Sequence, residues 1–327
     1  MSRITGYNLY KFSRSTYIAL KRRITHWKNL LTDPQPKLLI IVYHRVSREI
    51  KRNPLNTVLP LEVFMKQLNG LATKYPVISL SDAALQCKER MPKAATQLLL
   101  TFDDGYQDNY EIVYPILKQK GWPAAFFIIP GYIGENKPLW DWEFSAILNS
   151  NATVQSIKMA DTLIHQGKKE PRLSFIFRVL ERMKSADVNL REKVLASLRE
   201  QSKKNIAHED ICMSWEQLGR MRNDGMEIGA HSISHRSLAR IPLAEAIYEI
   251  RKSKKVIEDN LKEECAHFAF PFGSKSDYTQ ELIDEVKKTG FHTCLLNIHG
   301  YNHIMADTFC FKRIIMDAST DLRYLFG

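Results

Sequence analysis

The stretch that decides the fold is QLLLTFDDG, which occupies residues 97–105. Its apolar part predicts a strand that is buried on both faces. Asp103, Asp104 and Gly105 end this strand abruptly. Because even one unpaired carboxylate costs several kcal/mol to bury, packing does not explain two adjacent carboxylates at the end of a buried strand. A metal ion, or a proton that has to be moved, would explain both.

Alternating strand and helix patterns extend in both directions from this stretch. Residues 37–43 (KLLIIVY) form a second aliphatic run that ends at His44, and residues 124–129 (AAFFII) form a third one after a helical pattern over 111–120. A strand, a helix and a strand joined by short turns form a βαβ unit, which implies a parallel sheet. We therefore expect an α/β barrel domain over residues 37–327. Beyond residue 213, strands are predicted at 226–230, 267–270, 291–296 and 311–316, and helices at 214–225, 243–261 and 280–289.

Two further segments complete the predicted domain. Between the first two aliphatic runs, residues 61–75 have helical spacing, residues 76–80 suggest a short strand, and Ser81 is a candidate N-cap for the helix that follows. From about residue 140 to residue 213 the strand signal disappears, and the sequence is helical and rich in charge. We interpret this region as a helical insertion over one rim of the barrel.

Residues 1–36 are predicted to form a separate basic segment. Residues 1–32 carry seven basic side chains and no acidic one. A helical stripe of apolar residues at spacings of three and four runs through Tyr17, Leu20, Ile24, Trp27 and Leu31. A basic amphipathic helix with a tryptophan is typical of contact with an anionic membrane surface, and the alternative is a helix packed on its own domain. Nucleic acid is not an expected partner, because no known binding motif follows.

The composition of the chain indicates the cellular compartment in which the protein works. The chain has 327 residues, a formal net charge of +11 and five cysteines without a CxxC pair. An odd number of widely spaced cysteines favours free thiols in a reducing compartment over a disulfide framework. No signal-peptide-like apolar core stands at the N-terminus, and the apolar runs are too short to span a bilayer. We expect a cytoplasmic protein, held by its basic segment at the inner face of the membrane.

Polar residues that can bind a metal follow two of the predicted strands. Asp104 ends the central strand, and His231 and His235 follow the strand predicted at 226–230. The carboxyl ends of parallel barrel strands lie on one face, so these side chains are expected to meet. Two histidines four residues apart are weak evidence alone, since such a spacing often reflects a surface pair. Joined to a carboxylate they predict an open site for a divalent metal, with zinc as first choice among several ions.

Three other residues are candidates for the chemistry beside that metal. Asp103 is expected to be the general base, although one aspartate at this place could also cap the following helix. His44 is the candidate general acid, because imidazole titrates near neutrality and this residue ends a neighbouring strand. The third candidate is the turn PFG at 271–273, which could offer a backbone N–H to an oxyanion or be an ordinary turn.

Three motifs, in this order, resemble those of a known family. The sequences TFDDG at 101–105, HSISH at 231–235 and FPFG at 270–273 are similar to the first three motifs of the polysaccharide deacetylase (NodB-type carbohydrate esterase) family. The resemblance covers roughly residues 38–316. The stretch VYHRV at 42–46 resembles the subgroup that includes biofilm poly-N-acetylglucosamine deacetylases, in which the acid histidine lies on an N-terminal strand.

The resemblance implies a distorted, incomplete (β/α) barrel that removes N-acetyl, or occasionally O-acetyl, groups from a carbohydrate with the help of a divalent metal. By motif match, Asp103 is the base, His44 is the acid and the backbone at Phe272 serves the oxyanion. The implied metal ligands are Asp104, His231 and His235. Aromatic residues that could stack on the sugar are Tyr106, Trp140 and Trp142.

The sequence departs from the family pattern at three places. Many members have an arginine where this chain has Ala269 and a tyrosine where it has Phe272, so the interaction that orients the base has to come from elsewhere or is missing. His299 stands where other members carry the acid histidine, and it competes with His44 for that role. Two other functions stay open: a non-catalytic carbohydrate-binding or scaffold protein, and a metal hydrolase of another bond such as a formamide. The substrate could be a lipid-carrier-linked or nucleotide-linked sugar.

Overall fold

The structure is a computed structural model. It describes residues 35–49, 55, 57–91, 95–151, 153–202, 211–303 and 306–320, and residues 36–320 belong to one compact unit. The amphipathic helix predicted within residues 1–36 lies outside the described residues. None of the helices in the described part of the chain is long and apolar enough to cross a membrane.

The described part of the chain contains twelve strands of two to eight residues each. They are β1 (Lys37–Tyr43), β2 (Arg45–Ser47), β3 (Val58–Pro60), β4 (Gln97–Asp104), β5 (Ala125–Ile128), β6 (Ser156–Met159), β7 (Thr162–His165), β8 (Glu227–Ala230), β9 (His267–Ala269), β10 (Thr293–His299), β11 (Asn302–His303) and β12 (Phe311–Ile315). The α-helices are α1 (Leu61–Ala72), α2 (Leu80–Lys88), α3 (Tyr114–Lys120), α4 (Trp140–Ser150), α5 (Arg172–Met183), α6 (Val188–Ser202), α7 (Trp215–Asn223), α8 (Leu243–Leu261) and α9 (Gln280–Lys288).

Seven parallel strands form a closed ring in the order β1, β4, β5, β8, β9, β10 and β12, and β12 pairs again with β1. The ring has one strand fewer than the eight of a regular (β/α) barrel. It is distorted, since β8 and β9 are joined through the single residue pair Ala230 and Phe268. The expected incomplete barrel is confirmed.

The longest parallel pairing joins β1 to β4. Its register runs from Leu38 opposite Gln97 to Tyr43 opposite Phe102, and all seven residues of β1 are buried. The next residues are therefore His44, directly after β1, and Asp103 on β4. Two residues far apart in the sequence thus reach the carboxyl end of the barrel side by side, because both strands run in the same direction.

Two local predictions were wrong, and for the second the reason is the distant carboxylate of Glu227. The segment 76–80 forms a single bridge between Val77 and Leu98 instead of a strand, and the cap of α2 is Ser79, whose hydroxyl accepts a hydrogen bond from Asp82 N at 3.0 Å. The first backbone amides of α2 also donate to the Glu227 carboxylate, at 2.7 and 2.8 Å. This pairing starts the helix two residues earlier than the capping pattern suggested.

The insertion is mainly helical, as expected, but it also contains a β-hairpin. The strands β6 and β7 pair antiparallel between α4 and α5. These strands are only four residues long, which is too short for a clear alternating pattern. The helices and the hairpin share a buried cluster that includes Phe144, Ile157, Ile164, Phe175 and Leu195. All five cysteines of the chain are free, as predicted.

Candidate active site

Asp104, His231 and His235 converge at the carboxyl end of the barrel. Each offers a ligand atom, and these atoms all lie within 4.8 Å of one another. Asp104 Oδ1 is 3.7 Å from His231 Nε2 and 3.5 Å from His235 Nε2. The end of β4 supplies the carboxylate, and the loop after β8 supplies both imidazoles. The three residues that the sequence singled out as metal ligands are therefore brought together.

The environment of Asp104 fits a cation. Its Oδ1 atom is buried and has no hydrogen-bond partner among the described residues. Burial raises the pKa of this carboxyl to about 6, although His235 and His44 lower it. An ionised carboxylate oxygen without a partner is costly in a protein interior. A divalent ion between the carboxylate and the two imidazoles would remove that cost.

The tautomer of His231 also suits a metal ligand. Its Nδ1 lies 2.8 Å from the carbonyl oxygen of Ala269. Because a carbonyl only accepts hydrogen bonds, the proton belongs on Nδ1, and the lone pair belongs on Nε2, the atom nearer to Asp104. Burial lowers the pKa of His231 to about 3, so the imidazole is neutral, as ligation requires.

His235 is oriented by Asp141, a residue without an assigned role in the sequence analysis. Asp141 lies in the first turn of α4, and its Oδ2 is 3.2 Å from His235 Nδ1. Burial lowers the pKa of His235, but Asp141 outweighs this effect and the pKa is raised overall. A carboxylate on Nδ1 leaves Nε2 to face Asp104. The sequence signal for this role was weak, since an acidic residue in the first helical turn is common.

Asp103, adjacent to Asp104, has a different partner. The Arg313 guanidinium of β12 donates to both of its oxygens, at 2.7 and 2.8 Å, and both side chains are fully buried. Burial raises the pKa of Asp103, but the positive charge of Arg313 outweighs burial and holds it at about 2. Asp103 Oδ2 stands 4.0 Å from His231 Nε2, so this carboxylate lies beside the metal-ligand group. The sequence analysis missed Arg313, whose only signal was one arginine in an apolar strand.

His44 lines the same cavity as the three candidate ligands. The cavity has a volume of about 230 Å³. The charge of His44 lowers the pKa of both Asp103 and Asp104, which places the imidazole near the two carboxylates. Of the described residues of β10, Asn297 lines this cavity and His299 does not.

Phe272 stands in a strained turn at the edge of the cavity. Its φ is +60°, and its carbonyl oxygen accepts a hydrogen bond from Asn297 Nδ2 at 3.0 Å. Among the described residues, none accepts a hydrogen bond from the Phe272 amide. Its ring centroid lies 4.6 Å from that of His235. Phe272 therefore lines the cavity beside the candidate metal ligands, and its amide has no acceptor among the described residues.

Comparison with known proteins decides the family. Residues 90–294 match the family model described as polysaccharide deacetylase, which is more than half of the chain. This chain belongs to the polysaccharide deacetylase family. The motifs at Asp103, His231 and Phe272 predicted this family, and the prediction is confirmed.

The individual relatives reported for this family member are distant. YxkH of Bacillus subtilis (strain 168), whose name also places it among the polysaccharide deacetylases, is 29% identical over 126 residues, or 38% of this chain and 43% of that protein. The aligned region thus spans less than half of that relative.

Two solved structures share the fold. PplD of Streptococcus pyogenes, a deacetylase solved in complex with acetate, has a TM-score of 0.58 and 16% identity over 89% of this chain and 97% of that one. IcaB from Ammonifex degensii has a TM-score of 0.58 and 17% identity over 88% and 94%. At such low identities these likenesses show the fold alone.

The aromatic residues that were expected to stack on a sugar are packed in the interior of the protein. Tyr106 lines the cavity but is 2% exposed, and Trp140 is 1% exposed with its indole N–H donating to His235 O at 3.1 Å. The guanidinium of Arg45 lies over the rings of Tyr106 and Trp142, at 4.5 and 4.4 Å from their centroids. These contacts favour a structural role for Trp140 and Trp142 over the stacking role that the sequence suggested.

Residues with strained backbone conformations are concentrated at the candidate site. Among the described residues, seven other than glycine have positive φ, and four of these are Asp104, Ser232, His235 and Phe272. Such conformations persist where the surroundings enforce them. In the histidine loop, Ser232 Oγ accepts from His235 N at 3.0 Å, and the Glu249 carboxylate accepts from two backbone amides. The loop is therefore preorganised.

Proposed function

We propose that this chain is a metal-dependent hydrolase that removes acetyl groups, in the first place N-acetyl groups, from a carbohydrate. One observation carries the proposal: the adjacent carboxylates of β4 have separate partners. Asp104 faces two imidazoles with an unpaired oxygen, whereas Asp103 is held by Arg313. A protein that only bound carbohydrate would have no use for a second, separately oriented carboxylate at a metal site.

The residues that would hold the metal are Asp104, His231 and His235, and zinc is our first choice because two imidazoles and a carboxylate suit it. A divalent ion at this place supplies a Lewis acid and makes water a stronger acid. The cavity beside the three residues has room for water and an acetyl group, at about 230 Å³. The chain itself supplies the groups that move protons.

Asp103 would take a proton from the attacking water, a role supported by the 4.0 Å between its Oδ2 and His231 Nε2. Arg313 holds both of its oxygens, so the carboxylate has one orientation. Since its pKa lies at about 2, it stays ionised at neutral pH but is a weak base. It can therefore act only on water that the neighbouring site has made acidic.

His44 and Phe272 serve the other side of the reaction. Water adds to the acetyl carbonyl carbon, and the Phe272 amide, which has no acceptor among the described residues, is available to the oxygen that becomes negative. His44 is available to protonate the nitrogen as the carbon–nitrogen bond breaks. The products are acetate and a free amino sugar.

The decisive experiment measures acetate release from oligomers of N-acetylglucosamine, with and without a chelator. We expect release that stops with chelator and returns with zinc. Asp104→Asn should abolish zinc binding in calorimetry, whereas Asp103→Asn should bind zinc and lose at least about 100-fold in kcat. Asp259→Asn, an exposed carboxylate on α8, is the matched control and should change neither. Unchanged turnover in Asp103→Asn would contradict the mechanism.

The same assay separates the alternatives. A scaffold protein would bind the oligomer and release no acetate. A hydrolase of another bond would leave the oligomer intact and cleave a formamide or a phosphoester instead. Either result would overturn the acetyl assignment.

We further propose a cytoplasmic substrate, either a lipid-carrier-linked or a nucleotide-linked sugar, with the protein peripheral to the inner face of the membrane. Five free cysteines and seven basic side chains in residues 1–32 support this proposal. Sedimentation with anionic liposomes tests the membrane contact. Binding that survives removal of residues 1–32 would count against a role for that segment.

A further inference from the structure

One face of α5 forms part of the wall of the active-site cavity. Phe177, Leu180, Glu181 and Lys184 line the same cavity as His44 and the three candidate metal ligands. They are spaced by three, one and three residues, which places them on one side of a helix. The insertion thus does more than cover the barrel rim, because it contributes part of the cavity wall.

This wall is fixed relative to the candidate metal ligands. The guanidinium of Arg191, 2% exposed, donates to the carbonyls of Met183 and Lys184 at the end of α5, at 3.0 and 3.1 Å. The same group donates to the carbonyls of Ser234 and His235, at 2.8 and 3.1 Å. One buried side chain therefore ties the wall to the histidine loop, and the distance between them is set before substrate arrives.

The wall is apolar in its centre and polar without net charge at its side. Phe177 is 42% exposed, although large aromatic residues are usually more buried than this. Glu181 forms ion pairs with Lys184, at 2.5 Å, and with Arg240, at 2.7 Å. Arg240 also lies 3.7 Å from the carboxylate of Asp277, so two positive and two negative charges balance. An apolar ring beside paired polar groups matches a neutral sugar, whose ring has apolar C–H faces and hydroxyl edges. A phosphate would find no uncompensated positive charge at these four residues.

We propose that Phe177, with the Glu181–Lys184 pair beside it, forms a subsite for a neutral sugar ring next to the residue that is deacetylated. The proposal rests on the proposed function in that the substrate is taken to be a carbohydrate. It assigns to Phe177 the stacking role for which Trp140 and Trp142 are too deeply buried. Phe177 is then a determinant of specificity and takes no part in the chemistry.

The test compares Phe177→Ala, Phe177→Trp and the control Leu173→Ala in the full-length protein. Leu173 lies one turn earlier on α5 and is 45% exposed, but it does not line the cavity. With the tetramer of N-acetylglucosamine, Phe177→Ala should raise KM about tenfold and leave kcat within about twofold, since stacking is present before and during the reaction. Phe177→Trp should restore KM, and Leu173→Ala should match the wild type.

Binding calorimetry in the Asp103→Asn background keeps this proposal separate from the proposed function. If the chain releases no acetate, the proposed function fails, and the tetramer Kd still tests the subsite. An equal Kd with and without Phe177→Ala would overturn the subsite, even in an active deacetylase. The proposal would also be overturned if Phe177→Ala lost binding to anionic liposomes but kept an unchanged Kd for the tetramer. The face of α5 that carries Phe177 would then contact lipid.

Discussion

Arg313 binds both carboxylate oxygens of Asp103, at 2.7 and 2.8 Å, and both side chains are fully buried. The pair joins β12 to β4, which are separated in the ring by β1. Residue 269 of this chain is alanine, and the positive charge beside Asp103 comes from β12. Asp103, the proposed base, is thus oriented by a residue of β12.

Removing this arginine should destabilise the protein. Arg313→Met leaves Asp103 buried without its partner, so the free energy of unfolding should fall by about 3–5 kcal/mol. Urea denaturation at pH 7 measures the loss. In the double variant Asp103→Asn, Arg313→Met no buried charge is left alone, and the loss should be smaller than the sum of the single losses. A loss below about 1 kcal/mol in Arg313→Met would show that the pair adds little.

Asp141 should control metal affinity without touching the metal. Asp141→Asn weakens the contact that orients His235, and zinc affinity should fall about 10-fold to 100-fold. Calorimetry or a competing chromophoric chelator measures the change. Glu143→Gln on the same helix is the matched control, since Glu143 pairs with Arg199 and should leave zinc affinity as it is. If Asp141→Asn and Glu143→Gln bound zinc with equal affinity, Asp141 would have no role in metal binding.

His44 and His299 are the two candidates for the general acid, and they differ in their position relative to the cavity. His44 lines the cavity, so His44→Ala should reduce kcat by about 100-fold or more through loss of the general acid. His299→Ala should change kcat much less. Both variants need measured zinc contents, so that loss of metal is not mistaken for loss of the acid. If His299→Ala has the larger effect, the two roles are exchanged.

Glu227 should stabilise the opposite end of the barrel in a pH-dependent way. Burial raises the pKa of its carboxyl, but contacts with His267 and Ser81 outweigh burial and lower it overall. A carboxyl with a lower pKa in the folded state stabilises the fold above its unfolded pKa, which is about 4.3, and loses this contribution as the pH falls through the folded value.

The corresponding variant is Glu227→Gln. It should lower the free energy of unfolding by about 1–2 kcal/mol at pH 7, because two backbone amides of α2 lose a charged acceptor. The difference from the wild type should shrink as the pH falls below 4. Glu216→Gln, whose side chain is 76% exposed, is the control and should have little effect at either pH. A difference that grows towards acid pH would contradict the assigned direction.

Structural elements that leave a local pattern in the sequence could be predicted. The buried runs at residues 37–43 and 97–104 indicated parallel strands, because a strand covered on both faces needs consecutive apolar side chains. The motif residues at the strand ends followed from the rule that active sites form at the carboxyl ends of such strands. The hairpin of β6 and β7 and the start of α2 were missed, since the first is too short for a pattern and the second depends on Glu227.

The sequence by itself determined the barrel and the residue types Asp104, His231 and His235 at its carboxyl end, because local patterns report burial and chemistry. Only the tertiary structure decided which partner each group has. The pairs Asp103 with Arg313 and His235 with Asp141 join residues 210 and 94 positions apart (313 − 103 and 235 − 141). No periodicity encodes contacts at such separations, since they arise from strand order and register. The burial of Trp140 and the exposure of Phe177 were settled in the same way, by how the insertion packs.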